Sequence, residues 1–162
     1  MKTGVYAGSF DPMTLGHLDI MKRAFSVVDK LIVGVAHNIR KNYLFSIEER
    51  ISFIENTLKE EGIKNFEVKA VNGLLVDFTE KENANLIIRG IRGAGDFDYE
   101  FQMGMANQEL NPKIETVFLL PKRDYIFVSS STVKEIAYFK RDVSIYVPKS
   151  VAKALKDKYR GI

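Results

Sequence analysis

Gly8-Ser9-Phe10-Asp11-Pro12-Met13-Thr14-Leu15-Gly16-His17 follows the apolar run Val5-Tyr6-Ala7 and leads into Leu18, Met21, Phe25 and Val28, which recur at helical spacing. A short buried strand, a glycine-punctuated turn and an amphipathic helix open an α/β unit. Outward from this stretch, further apolar β-rich runs occupy Leu31 to Val35, Phe66 to Val71, Leu86-Ile87-Ile88 and Thr116 to Leu120. Ile47, Ile51, Ile54 and Leu58 mark a second helical face, with Ser46 and Glu49 as a capping box and Gly62 as the left-handed residue past its end. Further helices are predicted over Val76 to Asn83, Tyr99 to Leu110, Thr132 to Phe139 and Val151 to Tyr159, with Thr132 and Glu135 opening the third of these. Continuous apolar strands alternating with helices imply a five-stranded parallel sheet covered on both faces, a doubly wound α/β sandwich expected to form one domain over residues 1–162. Ligands of such sheets bind outside the carboxyl ends of the strands, where strand order reverses.

Composition narrows the chemistry. Cysteine is absent, so disulfides, thiolate nucleophiles and Cys-ligated metals are excluded. The imidazoles are His17 and His37, and His37 reads as a structural or surface residue. Without an HExxH pattern or a dense acidic cluster no dedicated metal cage is expected, so Mg²⁺ would arrive on substrate phosphates. No apolar run approaches the ~18 residues of a membrane span, and Met1-Lys2-Thr3 leads straight into a strand, so a cytoplasmic location is the default. A net charge of +3 suits an anionic small substrate and is too small to argue for nucleic acid.

The turn after the first strand suits phosphate. Gly8 permits close backbone approach, Ser9 offers a hydroxyl and an amide, and a helix N-terminus presents unpaired N–H groups to an anion. His17 can aim an imidazole at the same anion. Read by themselves, Gly8 and Gly16 could serve only tight turns, and His17 only a helix cap. The stretch is neither a Walker A loop nor a GxGxxG fingerprint, which disfavours kinase and dehydrogenase chemistry. After the fourth strand, Arg89 and Arg92 in Ile88-Arg89-Gly90-Ile91-Arg92-Gly93 bring planar forks matched to phosphate oxygens. After the fifth, the hydroxyls of Ser129, Ser130, Ser131 and Thr132 exceed what one cap needs. Met103 and Met105 read as core or subunit contacts rather than ligands of a cofactor.

With Thr14-Leu15-Gly16-His17 as an (H/T)xGH segment, the chain from Gly4 to about Pro148 resembles the phosphopantetheine adenylyltransferases of the nucleotidyltransferase superfamily. The resemblance implies a Rossmann-like fold, a homohexamer, and reversible Mg²⁺-dependent transfer of the adenylyl group of ATP to 4′-phosphopantetheine. The products are dephospho-coenzyme A and pyrophosphate, with coenzyme A as a feedback ligand. It implies an ATP site of Ser9, Phe10, His17, Gly90, Ile91, Arg92, Glu100 and the run Tyr125-Ile126-Phe127-Val128-Ser129-Ser130-Ser131. It likewise implies a substrate site of Ser9, Lys41, Leu74, Leu75, Arg89, Tyr99 and Asn107. Ser9 stands where some members carry Thr, and Tyr125 where some carry Trp; Thr14 replaces the first His of the HxGH form.

The mechanism this implies is in-line attack of the acceptor phosphate on the α-phosphorus, with no covalent enzyme intermediate. His17 stabilises the transition state and Lys41 neutralises the reacting phosphates. His17→Ala is then expected to cost at least ~10²-fold in turnover and to leave folding nearly unchanged. Two other classes compete. A non-catalytic nucleotide sensor would bind without releasing pyrophosphate. An RNA-binding domain would use Lys149, Lys153, Lys156, Lys158 and Arg160, which read more simply as a solvated basic face near a helix C-terminus.

Overall fold

A computed structural model describes residues 1–37 and 42–161. The sheet consists of β1 (Thr3–Gly8), β2 (Lys30–Ala36), β3 (Phe66–Val71), β4 (Leu86–Gly90) and β5 (Glu115–Leu119), all parallel in the order β3-β2-β1-β4-β5. All five strand runs read from the sequence are present. The order reverses between β1 and β4, which places the ligand-binding crevice of such sheets at the ends of those strands.

The pleat sorts the strand residues onto two faces. Tyr6, Leu31, Val33, Val35, Leu86 and Ile88 join the main core on one face. Val5, Ala7, Ile32 and Ile87 join smaller clusters on the other. The main core is closed by α1 (Leu15–Ala24), α2 (Ile47–Glu60), α5 (Ser130–Tyr138) and α6 (Lys149–Lys158). On α6 the fully buried Val151 and Leu155, each contributing ~1.5–3 kcal/mol of burial, seat the helix on the core. The opposite face carries α3 (Leu75–Lys81) and α4 (Ala94–Leu110), and α4 keeps most of its apolar residues exposed. Among the described residues no helix is long and apolar enough to cross a membrane.

The capping box at Ser46 and Glu49 is present, and Gly62 has φ +69°. Two helix starts differ from the sequence reading. α4 begins at Ala94 rather than Tyr99, because the Asp96 carboxylate accepts from the Arg92 amide and guanidinium and closes a first turn that its glycines disfavour. α5 is capped by Ser129, whose hydroxyl accepts from the Thr132 amide, and not by Thr132 itself.

Candidate active site

The loop from Gly8 to Thr14 leaves β1 at the switch point. Its left-handed residue is Phe10 (φ +47°) and not Gly8. Gly8 is required for packing: a Cβ there would stand 3.1 Å from the Phe10 ring. Two buried side chains fix this loop from behind. Asp11 accepts from the amides of Leu44 and Phe45 at 2.9 Å and from Lys134 Nζ at 3.0 Å. Arg50, fully buried on α2, donates to the carbonyls of Ser9 (2.6 Å) and Ala36 (2.9 Å), and Tyr43 covers its guanidinium face. His37 stacks on Tyr43 and lies 3.4 Å from Arg50 through Nδ1, so its contacts are with the scaffold rather than the cleft.

Thr14 is the N-cap of α1, and His17 is the third helical residue, the position of a capping-box partner. The Thr14 amide donates to His17 Nδ1 at 2.9 Å, while the Thr14 hydroxyl accepts from the His17 amide at 3.3 Å. His17 therefore caps a helix and also faces the cleft. Because Nδ1 accepts, the proton of the neutral ring sits on Nε2, the nitrogen on the ring's other edge. Burial, helped by Arg92 and Arg89, pushes the imidazole pKa down to about 4, so the ring is neutral at neutral pH. Phe10 packs edge-on against it at 5.0 Å between centroids and holds its plane.

A cleft of about 320 Å³ opens over this ring. β1 and its loop supply Tyr6, Ala7, Gly8, Ser9 and Phe10, and α1 supplies Gly16, His17 and Ile20. Arg89, Gly90, Arg92, Asp96 and Glu100 come from the β4–α4 region. The segment after β5 contributes Pro121, Tyr125, Val128, Ser129, Ser130 and Ser131. Tyr125 packs over Gly16.

The arginines do not stand free. Arg89 forms a two-pronged pair with Glu100, Nε to Oε2 and Nη2 to Oε1 both at 2.6 Å, and also donates to the Ala7 carbonyl. Glu100, which the resemblance puts in the ATP site, is thus the partner of Arg89 in the cleft wall. Arg92 binds Asp96 (Nε 2.9 Å) and the Val128 carbonyl (3.1 Å), tying the β4 loop to the serine segment. Each guanidinium has five N–H donors, so N–H groups remain on both for an anion. Ser130 Oγ donates to the Pro12 carbonyl at 2.7 Å. With Ser129 capping Thr132, the amides of Ser130 and Ser131 at the start of α5 have no intrahelical acceptor and can bind an anion.

Of the residues the sequence singles out, the cleft gathers Ser9, Phe10, His17, Arg89, Gly90, Arg92, Glu100, Tyr125, Val128, Ser129, Ser130 and Ser131. It does not gather the rest. Ile91 is buried, its amide donating to the Leu119 carbonyl, and Ile126 is half-buried beside the cleft. Phe127 projects away, 90% exposed. Leu74 is exposed, Leu75 packs into the smaller cores, and on α4 Tyr99 is exposed whereas Asn107 is buried. Lys41, with its neighbour Arg40, lies outside the described residues. Sequence reasoning passed over Tyr6, Ile20, Pro121 and Asp96 because an apolar residue, a proline and a helix-start acid carry no local chemical signal. Burial pushes the Tyr6 phenol pKa up, so it remains a neutral hydroxyl. Among the described residues no three His, Cys, Asp or Glu side chains gather as a metal site.

The His17 assignment has a direct readout. Nitrogen-15 NMR should find the neutral Nε2–H tautomer persisting as pH falls, with protonation at about 4. The unfolded ring, at 6.5, takes its proton first, so this group's contribution to stability is complete above 6.5 and is lost as pH falls toward about 4. A ring that titrates at its ordinary value would show that it is not enclosed as described.

A cytidylyltransferase-like family model matches residues 5–136. A phosphopantetheine adenylyltransferase of Clostridium perfringens is 48% identical over 162 residues, covering 100% of this chain and 98% of the relative. One from Wolbachia pipientis subsp. Culex pipiens is 53% identical over 154 residues, covering 95% and 91%. In fold, a bifunctional NMN adenylyltransferase/ADP ribose pyrophosphatase of Francisella tularensis superposes with TM-score 0.75 at 16% identity, over 98% of this chain and 51% of that one.

Proposed function

The chain belongs to the phosphopantetheine adenylyltransferase family, enzymes that transfer the adenylyl group of ATP to 4′-phosphopantetheine, and from this we propose how its own residues perform the transfer. The acceptor's phosphate oxygen attacks the α-phosphorus of ATP in line and pyrophosphate leaves, with no covalent enzyme intermediate. The nucleophile is already anionic, so no general base is needed; catalysis is positioning and charge stabilisation. The observation that carries this reading is the His17 ring, neutral, held through Nδ1 and offering Nε2–H to the cleft. A neutral donor stabilises the charge developing on the α-phosphoryl oxygens by hydrogen bonding, without transferring its proton.

The triphosphate would lie on the amides of Ser130 and Ser131 and the Ser131 hydroxyl, with the remaining Arg92 N–H groups, and Tyr125 would flank the base. Gly90, Ile91, Ile126 and Phe127 would shape the nucleotide pocket around them. Arg89, braced by Glu100, would meet the acceptor phosphate together with Ser9 and Lys41. Leu74 and Leu75 follow β3 on the same carboxyl edge and would line the pantetheine arm, with Tyr99 and Asn107 from α4. Mg²⁺ would be held by the nucleotide's own phosphate oxygens and would supply charge neutralisation to the leaving pyrophosphate. Asp96 and Glu100, the carboxylates of the cleft, are taken up by arginines, which fits this arrangement. Dephospho-coenzyme A and coenzyme A would occupy the same cleft as product and feedback ligand, in the cytoplasm.

The test is to mix the protein with Mg²⁺-ATP and 4′-phosphopantetheine and follow pyrophosphate. Release is expected with this pair. Release only with nicotinamide mononucleotide as acceptor, only with CTP as donor, or nucleotide binding without any release, would replace the reading.

A homohexamer is part of the same proposal. Along α4, Phe97, Tyr99, Phe101, Met103, Met105 and Leu110 are 42–62% exposed, an apolar surface that isolated chains rarely leave bare. Phe101→Glu should lower the sedimentation mass. A wild-type protein that already sediments as a monomer would refute the assembly.

A further inference from the structure

A second concavity lies between α5 and α6 and shares no lining residue with the His17 cleft. Its volume is about 590 Å³, against about 320 Å³ for the cleft. Lys140 and Arg141, just past α5, face Lys153, Lys156 and Arg160 on and after α6. The apolar lining is Ala137, Val143 and Ala152, with the partly buried ring of Tyr159.

This groove concentrates the protein's positive charge. Five cations and one carboxylate, Asp142, give it a surplus of four, whereas the whole chain has a surplus of three. All other residues together are therefore net negative. The cations outnumber their internal counter-charge, Asp142, whose carboxyl pKa the Ser144 amide lowers and Lys156 helps to lower. Asp142 is turned to the amide and hydroxyl of Ser144, at 2.9 and 2.8 Å. Arg160 lies 3.9 Å from Asp157, and among the described residues Lys140, Arg141, Lys153 and Lys156 have no carboxylate at ion-pair distance. Lys153 and Lys156 sit one turn apart on α6, a like-charged spacing that destabilises a helix unless an anion lies across it.

The C-terminal end of a helix attracts cations, which accounts for Lys156 in the last turn of α6. It accounts neither for Lys153 in the middle of the helix nor for Lys140 and Arg141, which come from another element. Lys140 brings a cation to the groove from the end of α5. It occupies the left-handed position past α5, φ +59°, with its amide on the Ala137 carbonyl and the Arg141 amide on that of Ile136. Glycine takes that conformation without strain, and lysine does not. That conformation closes the hydrogen-bonded C-terminus of α5 and leaves Lys140 at the rim of the groove.

We propose that this groove is a second anion-binding site, taking a nucleotide-sized polyphosphate ester. Its phosphates contact Lys140, Lys153 and Lys156, and its organic part contacts Tyr159 and the apolar lining. The volume falls within the range of small-molecule sites, and the apolar lining gives an organic group a place that a bare phosphate would not use. Flat basic stripes serve nucleic acid and membranes; a concave pocket with an aromatic wall serves a small anion. The inference is independent of the chemistry assigned to the His17 cleft.

Calorimetric titration of the full chain with ATP and with inorganic tripolyphosphate, at low salt, tests it. The wild type should show two classes of ATP site per chain and also bind tripolyphosphate. Lys153→Glu/Lys156→Glu should weaken the second class at least ~10-fold, the effect of losing charge-assisted contacts. Adenylyl transfer by that variant should be unchanged, which also shows that it is folded. Lys140→Gly should weaken the same site while raising Tm by about 2 °C through relief of the left-handed strain. One class of ATP site in the wild type, or a second class indifferent to both variants, would overturn the proposal. So would binding of phosphatidylserine vesicles or an RNA hairpin at this face without binding of either small polyphosphate.

Discussion

His17→Ala should turn over ATP and 4′-phosphopantetheine at least ~10²-fold more slowly than the wild type, the scale of one lost transition-state donor, ~2.7–4 kcal/mol. The loss should fall on kcat rather than KM, because a donor aimed at charge that develops during reaction contributes little to the ground state. The structure puts a size on the companion expectation that folding is nearly unchanged. Alanine removes the acceptor of the Thr14 amide and half of the α1 capping box, worth ~1 kcal/mol. The Thr14 hydroxyl still accepts from the amide of residue 17, so the helix should form. His17→Asn separates the two roles: its short amide can restore the cap but cannot extend a donor to where Nε2 stands. Its Tm should recover and its kcat should not. A folded alanine variant with normal kcat would remove His17 from the mechanism.

The second large effect concerns stability. Glu100→Ala should lower the free energy of unfolding by ~3–5 kcal/mol, because it leaves Arg89 as a charge enclosed in the cleft wall without its carboxylate. The Ala7 carbonyl that remains is a partial acceptor, not a counter-charge. The paired replacement Arg89→Met/Glu100→Leu removes both charges and should restore most of that stability, since the pair's desolvation cost disappears with it. Activity should not return, for the fork proposed to meet the acceptor phosphate is gone. Denaturant midpoints and kcat/KM for the two single variants and the double variant check both halves. A double variant no more stable than Glu100→Ala would show that the pair contributes by more than mutual neutralisation.

Strand content was legible because β1, β2 and β4 carry continuous buried apolar runs, and the edge strand β3 alternates apolar residues with Glu67 and Lys69 at strand period. The capping box at Ser46 and the Gly62 terminus were equally plain, since both are local hydrogen-bond patterns that need no partner from afar. Gly8, Ser9, Gly16, His17, the two arginines and the serine run could be placed at strand ends by the same local logic.

Whatever depends on which segments meet was not legible. A guanidinium at Arg89 suits phosphate and Glu100 alike, and only the folded β4–α4 hairpin brings the carboxylate within 2.6 Å. The neutral state of His17 and the choice of Nε2 as its donor come from burial and from the Thr14 amide, neither of which the residue type specifies. The left-handed turn falls on Phe10 because groups from outside the loop hold its neighbours: Arg50 binds the Ser9 carbonyl, and the amides of Leu44 and Phe45 bind Asp11. Residue types and their spacing by themselves determined the layered α/β architecture and the gathering of imidazole, guanidinium and hydroxyl groups at strand ends, since both are short-range consequences of side-chain pattern. Which donors remain available to a ligand, and in what protonation state, was decided only by tertiary packing, because hydrogen-bond partnership and desolvation are properties of contacts between segments distant in the chain.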